Sequence, residues 1–511
     1  MHKIWNFERK RFEKSHNLIF DETQFPSPSN FDEPPADSYN PQSTSPTPTP
    51  ESTPEPENRP SRQIYDEIVV QLPPALQVFK TYGEYQPDND PPSFADAMRR
   101  PDANLWWEAF CDEIKAIIAR KTWTLVRLPP GKRVLPLRWV CRIKRDASNI
   151  FERYKARIVV KGFAQEAGLD FDELFAPVVR IDSIRTIFAI SASNDLVIIQ
   201  VDCKNAFLHS KSDFNIYVQQ PEGFRDVNQP DAVLLLNKAL YGLKQAPRLW
   251  YLLLSEVIVG MGFQVLETDT SIYIRGDIIL AHYVDDILIA GPSIQACNAA
   301  AADLSRKLEI VNKGEVKSFL GLNIIRNYEK HAIAISQPGY IDRLLAKYNM
   351  TNARSVSTPF ENGTKLKLAT ANDTLCNVKL YQELTGSLNH LAVFTRPDIV
   401  FAVSKLSKYN SNPTTTHLKA ALHVLRYLKG TRNYCIVYRR STNVPILDII
   451  GYADADFASD EDDRKSYTGY VFLIYDGAVT WSMHKQLTVA FSSMESEYMA
   501  LSDIAREALA R

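Results

Sequence analysis

No two cysteines in this chain are spaced to grip a metal or to staple a small core. The six stand far apart, at 111, 141, 203, 297, 376 and 435, with no Cys-x-x-Cys among them. Such spacing signals reduced thiols in a reducing compartment rather than a zinc site or a disulfide framework. No apolar run approaches the roughly twenty residues of a membrane span. The N-terminal MHKIWNFERKRFEKSH also lacks the apolar centre of a secretory signal. The expectation is a soluble, intracellular protein with no membrane partner. Charge of one sign is missing as well: 59 Lys and Arg stand against 60 Asp and Glu, a formal net charge of −1. Overall balance therefore says nothing of a polyanionic partner, and no internal repeat is visible. With 511 residues the chain can build several cores.

What is present is unevenly distributed. Residues 1–23 alternate apolar and polar types, as a short strand pair does, and are too few to bury a core. Between Pro26 and Pro60 there are eleven prolines among Ser, Thr, Glu and Asn. That composition predicts an extended, disordered linker over 24–92. Folded sequence begins near Ser93, where Trp106, Phe110, Ile114 and Ile117 recur at helical spacing. Short β-rich runs follow (TWTLVRL, RWVCRIKR, RYKARIVVKG), then a helix (SIRTIFAISAS) and an apolar strand, LVIIQVD, ending at Asp202. Strand and helix signals alternate irregularly to about 345, which predicts an α+β fold rather than a doubly wound parallel one. Residues 380–430 read as helical. Leu418, Ala421, Leu422, Leu425 and Leu428 form one stripe, and Gly430 stands where a C′ glycine would. From Ile446 four β-type runs lead into a final helix, MESEYMALSDIAREALAR.

Three features carry chemistry. In AHYVDDILIA two adjacent carboxylates lie between β-formers, which fits a hairpin with Asp285 and Asp286 at its turn. An isolated Asp-Asp pair is more often a solvated turn than a site. Asp202, at the end of a second buried strand, changes that balance: two strands can together bring three acids around two Mg²⁺ ions, a pair suited to phosphoryl transfer. Finally, Lys115–Lys161 contains fourteen Lys or Arg against two acids, Asp146 and Glu152, with Trp123, Trp139, Phe151 and Tyr154 interspersed. A basic surface of that kind suits nucleic-acid phosphates, although a charge run is ordinarily a solvated face.

The ordered succession KARIVVKGFAQEAGLDFDELFAPV, QVDCKNAFLH, QQPEGF, KALYGLKQAPRLWY, HYVDDILIAG and FLGLNI resembles Ty1/copia-type retrotransposon reverse transcriptases. The resemblance runs from about Trp106 to Pro359 and continues through GSLNHLAVFTRPDIVFAVSKLS. It implies a right-hand polymerase with fingers, palm and thumb: fingers and palm over 93–345, a helical thumb or connection over 346–445. The implied activity is RNA-directed DNA polymerisation, two-metal nucleotidyl transfer of a dNTP to a primer 3′-end with Mg²⁺ or Mn²⁺. The implied partners are an RNA template, a DNA or tRNA primer and dNTPs, in cytoplasmic virus-like particles with nuclear entry as a further option. Asp202, Asp285 and Asp286 become the catalytic metal ligands. Tyr283 and Val284 would lie under the primer end, and Phe207 would be the ring that rejects a ribose 2′-hydroxyl. Gly242, Lys244 and Pro247 match the loop beside the incoming nucleotide; Lys155, Arg157 and Lys161 match the hairpin that clamps its triphosphate. Phe319, Leu320 and Gly321 resemble the primer grip. Ser210 departs from the pattern, which has glycine there.

The two ends resemble parts of other domains. Residues 1–23 are similar to the tail of a copia-type integrase, without its catalytic core. Residues 446–511 resemble a partial ribonuclease H-like α/β domain, with Asp454 on its first strand and Glu497 on its helix, Glu495 being the weaker match. The expectation there is a truncated remnant without ribonuclease H activity, an open first-strand edge and the least stable part of the fold. Two other readings accompany the polymerase: a catalytically inactive relic that at most binds nucleic acid, and a DNA-templated enzyme sharing the same metal chemistry. Oligomeric state, natural primer and processing are not legible.

Overall fold

Pro101 divides the first helical stretch. It follows Phe94–Met98, which is capped by the Ser93 hydroxyl accepting from the Asp96 N–H, and precedes Ala103–Ala119; a proline cannot sit within a helix interior without breaking its hydrogen bonds. The computed structural model describes residues 2–6, 11–15, 18–19, 89–145, 151–361, 363–440 and 449–509. The linker expected at 24–92 lies outside them, apart from 89–92. Two units form, one from Met1–Phe20, Pro177–Lys204 and Val257–Arg511, the other from Asp21–Ala176 and Asn205–Glu256.

The second of these is built on Ala103–Ala119. Trp106, Phe110, Ile114 and Ile117, the residues at helical spacing, are fully buried. They pack with Trp139, Ile158 and Val160 of the hairpin Leu137–Arg145 and Phe151–Val160. A four-stranded sheet completes this unit in the order Trp123–Val126, Val233–Leu236, Tyr217–Val218, Val134–Leu135, with only the last pair parallel. On the long antiparallel hairpin, Arg138, Arg142, Lys144 and Arg153 of the basic run are exposed, Arg145, Lys155 and Arg157 are partly buried, and Trp139, Ile158 and Val160 belong to the core.

The first unit centres on a six-stranded antiparallel sheet. Its order is Gln264–Leu266, Asp269–Arg275, Ile278–Tyr283, Asp286–Gly291, Val197–Cys203, Ile310–Glu315. Helix Ile181–Ser193 packs with this sheet, and its Ile184, Ile187 and Phe188 share a core with Ile198, Leu288, Ile324, Ile335, Tyr438, Phe472, Val479 and Ile504. One apolar cluster thus joins three sheets: the six-stranded one, a second around Leu322–Asn327 and Ala332–Ser336, and the C-terminal one of Ile449–Asp456, Tyr467–Ile474 and Gly477–Lys485. Arg185 reinforces the joint. Its guanidinium donates to the carbonyls of Val479 (2.6 Å), Val393 (2.7 Å) and Phe394 (3.1 Å) and lies 3.9 Å over the Trp481 ring. Helices Val378–Phe394, Val400–Ser407 and Thr415–Gly430 enclose a separate core.

The mixed α+β class is as expected, and two local expectations give way. Gly430 is the last helical residue, not a left-handed residue beyond the helix; Thr431 is the cap. A Cβ on Gly430 would lie 3.1 Å from the Ser355 Cβ, so close approach rather than backbone conformation favours glycine there. The edge of strand Ile449–Asp456 is also not wholly open: Leu18–Ile19 pairs with Ile450 and Gly451. With the shared core and Arg185, this gives the C-terminal sheet more support than an appended remnant would have. Among the described residues, no helix is long and apolar enough to cross a membrane.

Candidate active site

Strand alternation prepares the carboxylates. Along Val197–Cys203, Ile199, Val201 and Cys203 are buried while Gln200 and Asp202 are partly exposed, so the two polar residues share one face. The adjacent antiparallel strand places Asp286 directly opposite Asp202. Lys313, on the other neighbouring strand, sends its ammonium to both: 3.0 Å to Asp202 Oδ1 and 3.4 Å to Asp286 Oδ1. Gln200 Nε2 donates to the same Asp286 Oδ1 at 3.0 Å. Burial alone would lower the Lys313 pKa, but the Asp202 hydrogen bond and the charges of both acids outweigh it, and the net shift is upward.

Asp285 stands in the two-residue tip Val284–Asp285, closed by the pair Tyr283 and Asp286. Its carbonyl accepts from the Cys203 N–H at 2.9 Å, tying the tip to the end of the Asp202 strand. Val284 has φ +57, a region that β-branched residues rarely occupy. Tyr283 is exposed, while His282 beside it is buried, which pushes its imidazole down to about 4 against a small opposing effect of Asp269.

Two carboxylates therefore converge on one cation, with a third acid at the adjoining turn. Among the described residues no three His, Cys, Asp or Glu side chains form a group that could hold a metal unaided. The donor set nevertheless fits Mg²⁺, which takes hard oxygen ligands and commonly uses one or two carboxylates with waters and substrate phosphates supplying the rest.

The other unit gathers most of the expected nucleotide residues. Phe207 lies in the short turn Ala206–His209, its ring edge-on to Tyr241 at 5.0 Å. The Arg157 guanidinium lies over the same Tyr241 ring, 4.5 Å from its centre. Gly242, at φ +90, is pressed against the hairpin's end: a Cβ there would lie 2.2 Å from the Val160 carbonyl oxygen. Val160 in turn donates to the Tyr241 carbonyl at 2.8 Å, one residue before Lys161. Two glutamines hold the loop. Gln165 accepts from the Lys244 N–H (2.7 Å) and donates to Gln245 (3.1 Å), while Gln245 donates to the Asp170 carbonyl (2.8 Å). The Lys244 ammonium reaches the Gln165 carbonyl at 3.3 Å and lies 4.7 Å from the Phe171 ring. Pro247 lies in the first turn of helix Ala246–Gly260. Burial lowers the Lys155 pKa, helped by the neighbouring charges of Arg157, Arg153 and Lys144 and opposed by that of Glu113. Ser210 has φ −81 and needs no glycine.

Elsewhere in the first unit, Phe319 is a core residue and Leu320–Gly321 form the tip between Phe319 and Leu322, with φ of +50 and +79. The C-terminal acids also meet. Burial, then the charge and hydrogen bond of Asp454, raise the Glu497 pKa. Glu495 is otherwise engaged, its Oε2 accepting from the Phe491 N–H at 2.6 Å at the helix start. Lys313, Tyr241, Gln165 and Gln245 were not singled out from the sequence. The last three stand inside quoted motifs, and Lys313 had no signal beyond its place in NKG.

Comparison with known proteins gives the family. Residues 120–362 match the family model described as reverse transcriptase (RNA-dependent DNA polymerase). The chain is 40% identical over 431 residues to the retrovirus-related Pol polyprotein from transposon TNT 1-94 of Nicotiana tabacum, covering 82% of this chain and 32% of that protein. It is 38% identical over 407 residues to the Pol polyprotein from transposon RE1 of Arabidopsis thaliana, covering 79% and 27%. Against a Ty5-1 transposon protein of Saccharomyces cerevisiae it is 35% identical over 312 residues, 60% of this chain and the whole of that one. The chain spans about a third of the length of the two plant polyproteins. On these matches, the chain belongs to the reverse transcriptase family of Ty1/copia-type retrotransposon Pol polyproteins.

Proposed function

We propose that the chain is an RNA-directed DNA polymerase, extending a primer 3′-end with deoxynucleotides by two-metal nucleotidyl transfer. The observation that carries this is the in-register meeting of Asp202 and Asp286 on one cation, with Asp285 at the adjoining turn. Asp202, Asp285 and Asp286 would hold Mg²⁺ or Mn²⁺. Bound there, the ions supply Lewis-acid activation of the attacking hydroxyl and neutralise charge on the leaving pyrophosphate. The protein's part is to hold the acids rigidly: antiparallel pairing fixes Asp202 opposite Asp286, and the Cys203–Asp285 hydrogen bond fixes the turn. Tyr283 and Val284 would support the primer end, with Leu320 and Gly321 as a second support.

The six-stranded sheet is then the palm, and the Leu137–Val160 hairpin belongs to the fingers. The helices between Val378 and Gly430 form the thumb, followed by a ribonuclease H-like sheet. In the fingers unit, Lys155, Arg157 and Lys161 have the charge to hold a triphosphate. Phe207, braced by Tyr241, is the sugar-selecting ring, and Gly242 lets the loop approach closely where any side chain would clash. RNA template, primer and dNTPs are the ligands this chemistry takes.

The test is extension of oligo(dT) on poly(rA) by purified protein with Mg²⁺ or Mn²⁺. Extension by wild type, absent from an Asp285→Asn variant that binds primer–template normally, supports the reading. No extension under conditions where primer–template is bound would overturn it. Charge reversal at Lys155 should raise the apparent KM for nucleotide, and template binding should weaken steeply with salt as neutralised phosphates release counterions.

A further inference from the structure

The six-stranded sheet contains one irregularity beside its acids. Strand Ile310–Glu315 pairs with Val197–Cys203 regularly at Val311–Asp202 and Asn312–Val201. The register then slips, and the next pair is Glu315–Ile199. Lys313 and Gly314 therefore both stand opposite Gln200, the two-against-one arrangement of a β-bulge. Bulges recur beside active sites, where they re-aim a side chain. This one is built into the sequence: Gly314 takes φ +76, a conformation open to glycine, and its N–H donates to Asn312 Oδ1 at 2.8 Å. The bulge delivers Lys313 across the Asp202 strand, and its ammonium bridges carboxylates from two strands. The side chain is 41% exposed. Its flexible four-carbon stem is open to solvent, so the charge can withdraw without disturbing the core.

We propose that Lys313 is a resident counter-cation of the acid site: it pairs Asp202 with Asp286 until a divalent ion enters, then yields, so that it sets the affinity of the site for metal. The inference rests on the reading of these acids as metal ligands. Two carboxylates facing across a strand pair repel each other, and a tethered monovalent cation lowers that cost at the very oxygens a divalent ion needs. Metal and lysine then compete. An enzyme so equipped keeps its acids aligned at low metal and demands more metal to become loaded.

The experiment measures Mn²⁺ binding to the full chain by electron paramagnetic resonance of free Mn²⁺, with melting temperatures recorded with and without Mn²⁺. Wild type, Lys313→Met, Lys313→Arg and Asp202→Asn are compared. Lys313→Met should bind Mn²⁺ about tenfold tighter or more, a tenfold change being about 1.4 kcal/mol. Without metal it should melt below wild type, and saturating Mn²⁺ should close or reverse that gap. Lys313→Arg, which keeps the charge, should stay near wild type in affinity. Asp202→Asn should lose the site. If Lys313→Met binds equally or more weakly while Asp202→Asn has lost binding, the counter-cation role is overturned and the metal reading stands. If Asp202→Asn binds as wild type does, the metal reading fails and the inference falls with it. Should Lys313→Met not fold, Lys313→Gln is judged by the same two readouts.

Discussion

Asp202 and Asp286 meet across two antiparallel strands and share a lysine ammonium; Asp454 and Glu497 meet between a strand and a helix, and Glu497 gains affinity for a proton. Each pair has to relieve the repulsion of two carboxylates, and each does so with what surrounds it. The first lies on the polar face of a sheet and is served by a bulge that brings in a cation. The second has burial and a neighbouring acid as its leading influences, so protonation is favoured. In the first pair the repulsion is offset by a lysine ammonium on a flexible stem, a cation that a divalent ion could replace. In the second, burial and the Asp454 charge shift Glu497 toward its protonated form. The contrast lies in how the repulsion is met, by a neighbouring cation in one pair and by a shift toward the protonated form in the other, although both lie in the same unit and share one apolar core.

The largest expected effect separates the pairs by activity. Asp202→Asn should lower primer extension by at least about a thousandfold, roughly 4 kcal/mol of barrier. Glu497→Gln should leave extension within about twofold. Extension rates measured side by side at saturating primer–template decide it, and equal losses in the two variants would erase the distinction.

The next effect concerns what binds the two regions together. Arg185 belongs to the helix packed with the six-stranded sheet, yet donates to the Val479 carbonyl and stacks on Trp481 in the C-terminal sheet. Burial pushes its guanidinium down to about 10, so it is still charged at neutral pH. Arg185→Leu leaves buried carbonyls without a donor and should cost about 3 kcal/mol. Calorimetry and limited proteolysis should show the C-terminal sheet opening before the acid sheet in the variant. In wild type the two should melt together. Earlier trimming of the C-terminal sheet in wild type would instead restore the expectation of a weakly held appendage.

A third test uses pH, because the two regions respond with opposite sign. The His282 pKa in the fold is about 4, below the ordinary value near 6.5. The unfolded chain therefore takes up the proton first as pH falls. Stability from this residue is complete above about 6.5 and is lost through the window down to about 4, up to roughly 3 kcal/mol at 1.36 kcal/mol per unit. Glu497 is shifted upward, so its contribution is present at low pH and is lost as pH rises through its folded value. Denaturant unfolding between pH 7 and 4.5 should show a steep decline that His282→Phe flattens and Glu497→Gln slightly steepens. An unchanged slope in His282→Phe would mean that other groups govern acid sensitivity.

How much of this was legible in the sequence follows from which contacts are local. The buried stripe Trp106, Phe110, Ile114 and Ile117 declares itself by period, and the hairpin by a polar pair between β-formers, although its tip is Val284–Asp285 rather than the expected Asp285–Asp286, Asp286 already pairing with Tyr283. Asp202 was legible as the end of an apolar strand. Lys313 was not: its partners lie 111 and 27 residues away, and its aim depends on a register slip that no local pattern announces. The Gln165–Gln245 bond, spanning 80 residues, and the contacts of Tyr241 with Phe207 and Arg157 were hidden for the same reason. Arg185 was not singled out, because its carbonyl partners come from elements 208 to 294 residues on. Gly430 misled in another way: a glycine at a helix end can serve conformation or proximity, and only the Ser355 contact separates the two.

The smallest effect compares the two hairpin tips. In the acid sheet, Val284 takes φ +57; in the C-terminal sheet, Tyr475 and Asp476 take +48 and +61 between the paired Ile474 and Gly477. Left-handed backbone costs a β-branched residue on the order of 1–3 kcal/mol, whereas Asp tolerates it with little penalty. Glycine removes the strain but gives back roughly 0.5–1 kcal/mol of chain entropy. Val284→Gly should therefore stabilise the protein by about 1 kcal/mol, and Asp476→Gly should change it by about zero. If Val284 also supports the primer end, its glycine variant should extend primers several-fold more slowly despite melting higher, while Asp476→Gly keeps the wild-type rate. Higher stability with an unchanged rate would make the strained valine a cost of the turn alone, and no stability gain would show that the surrounding sheet, rather than residue type, sets that conformation.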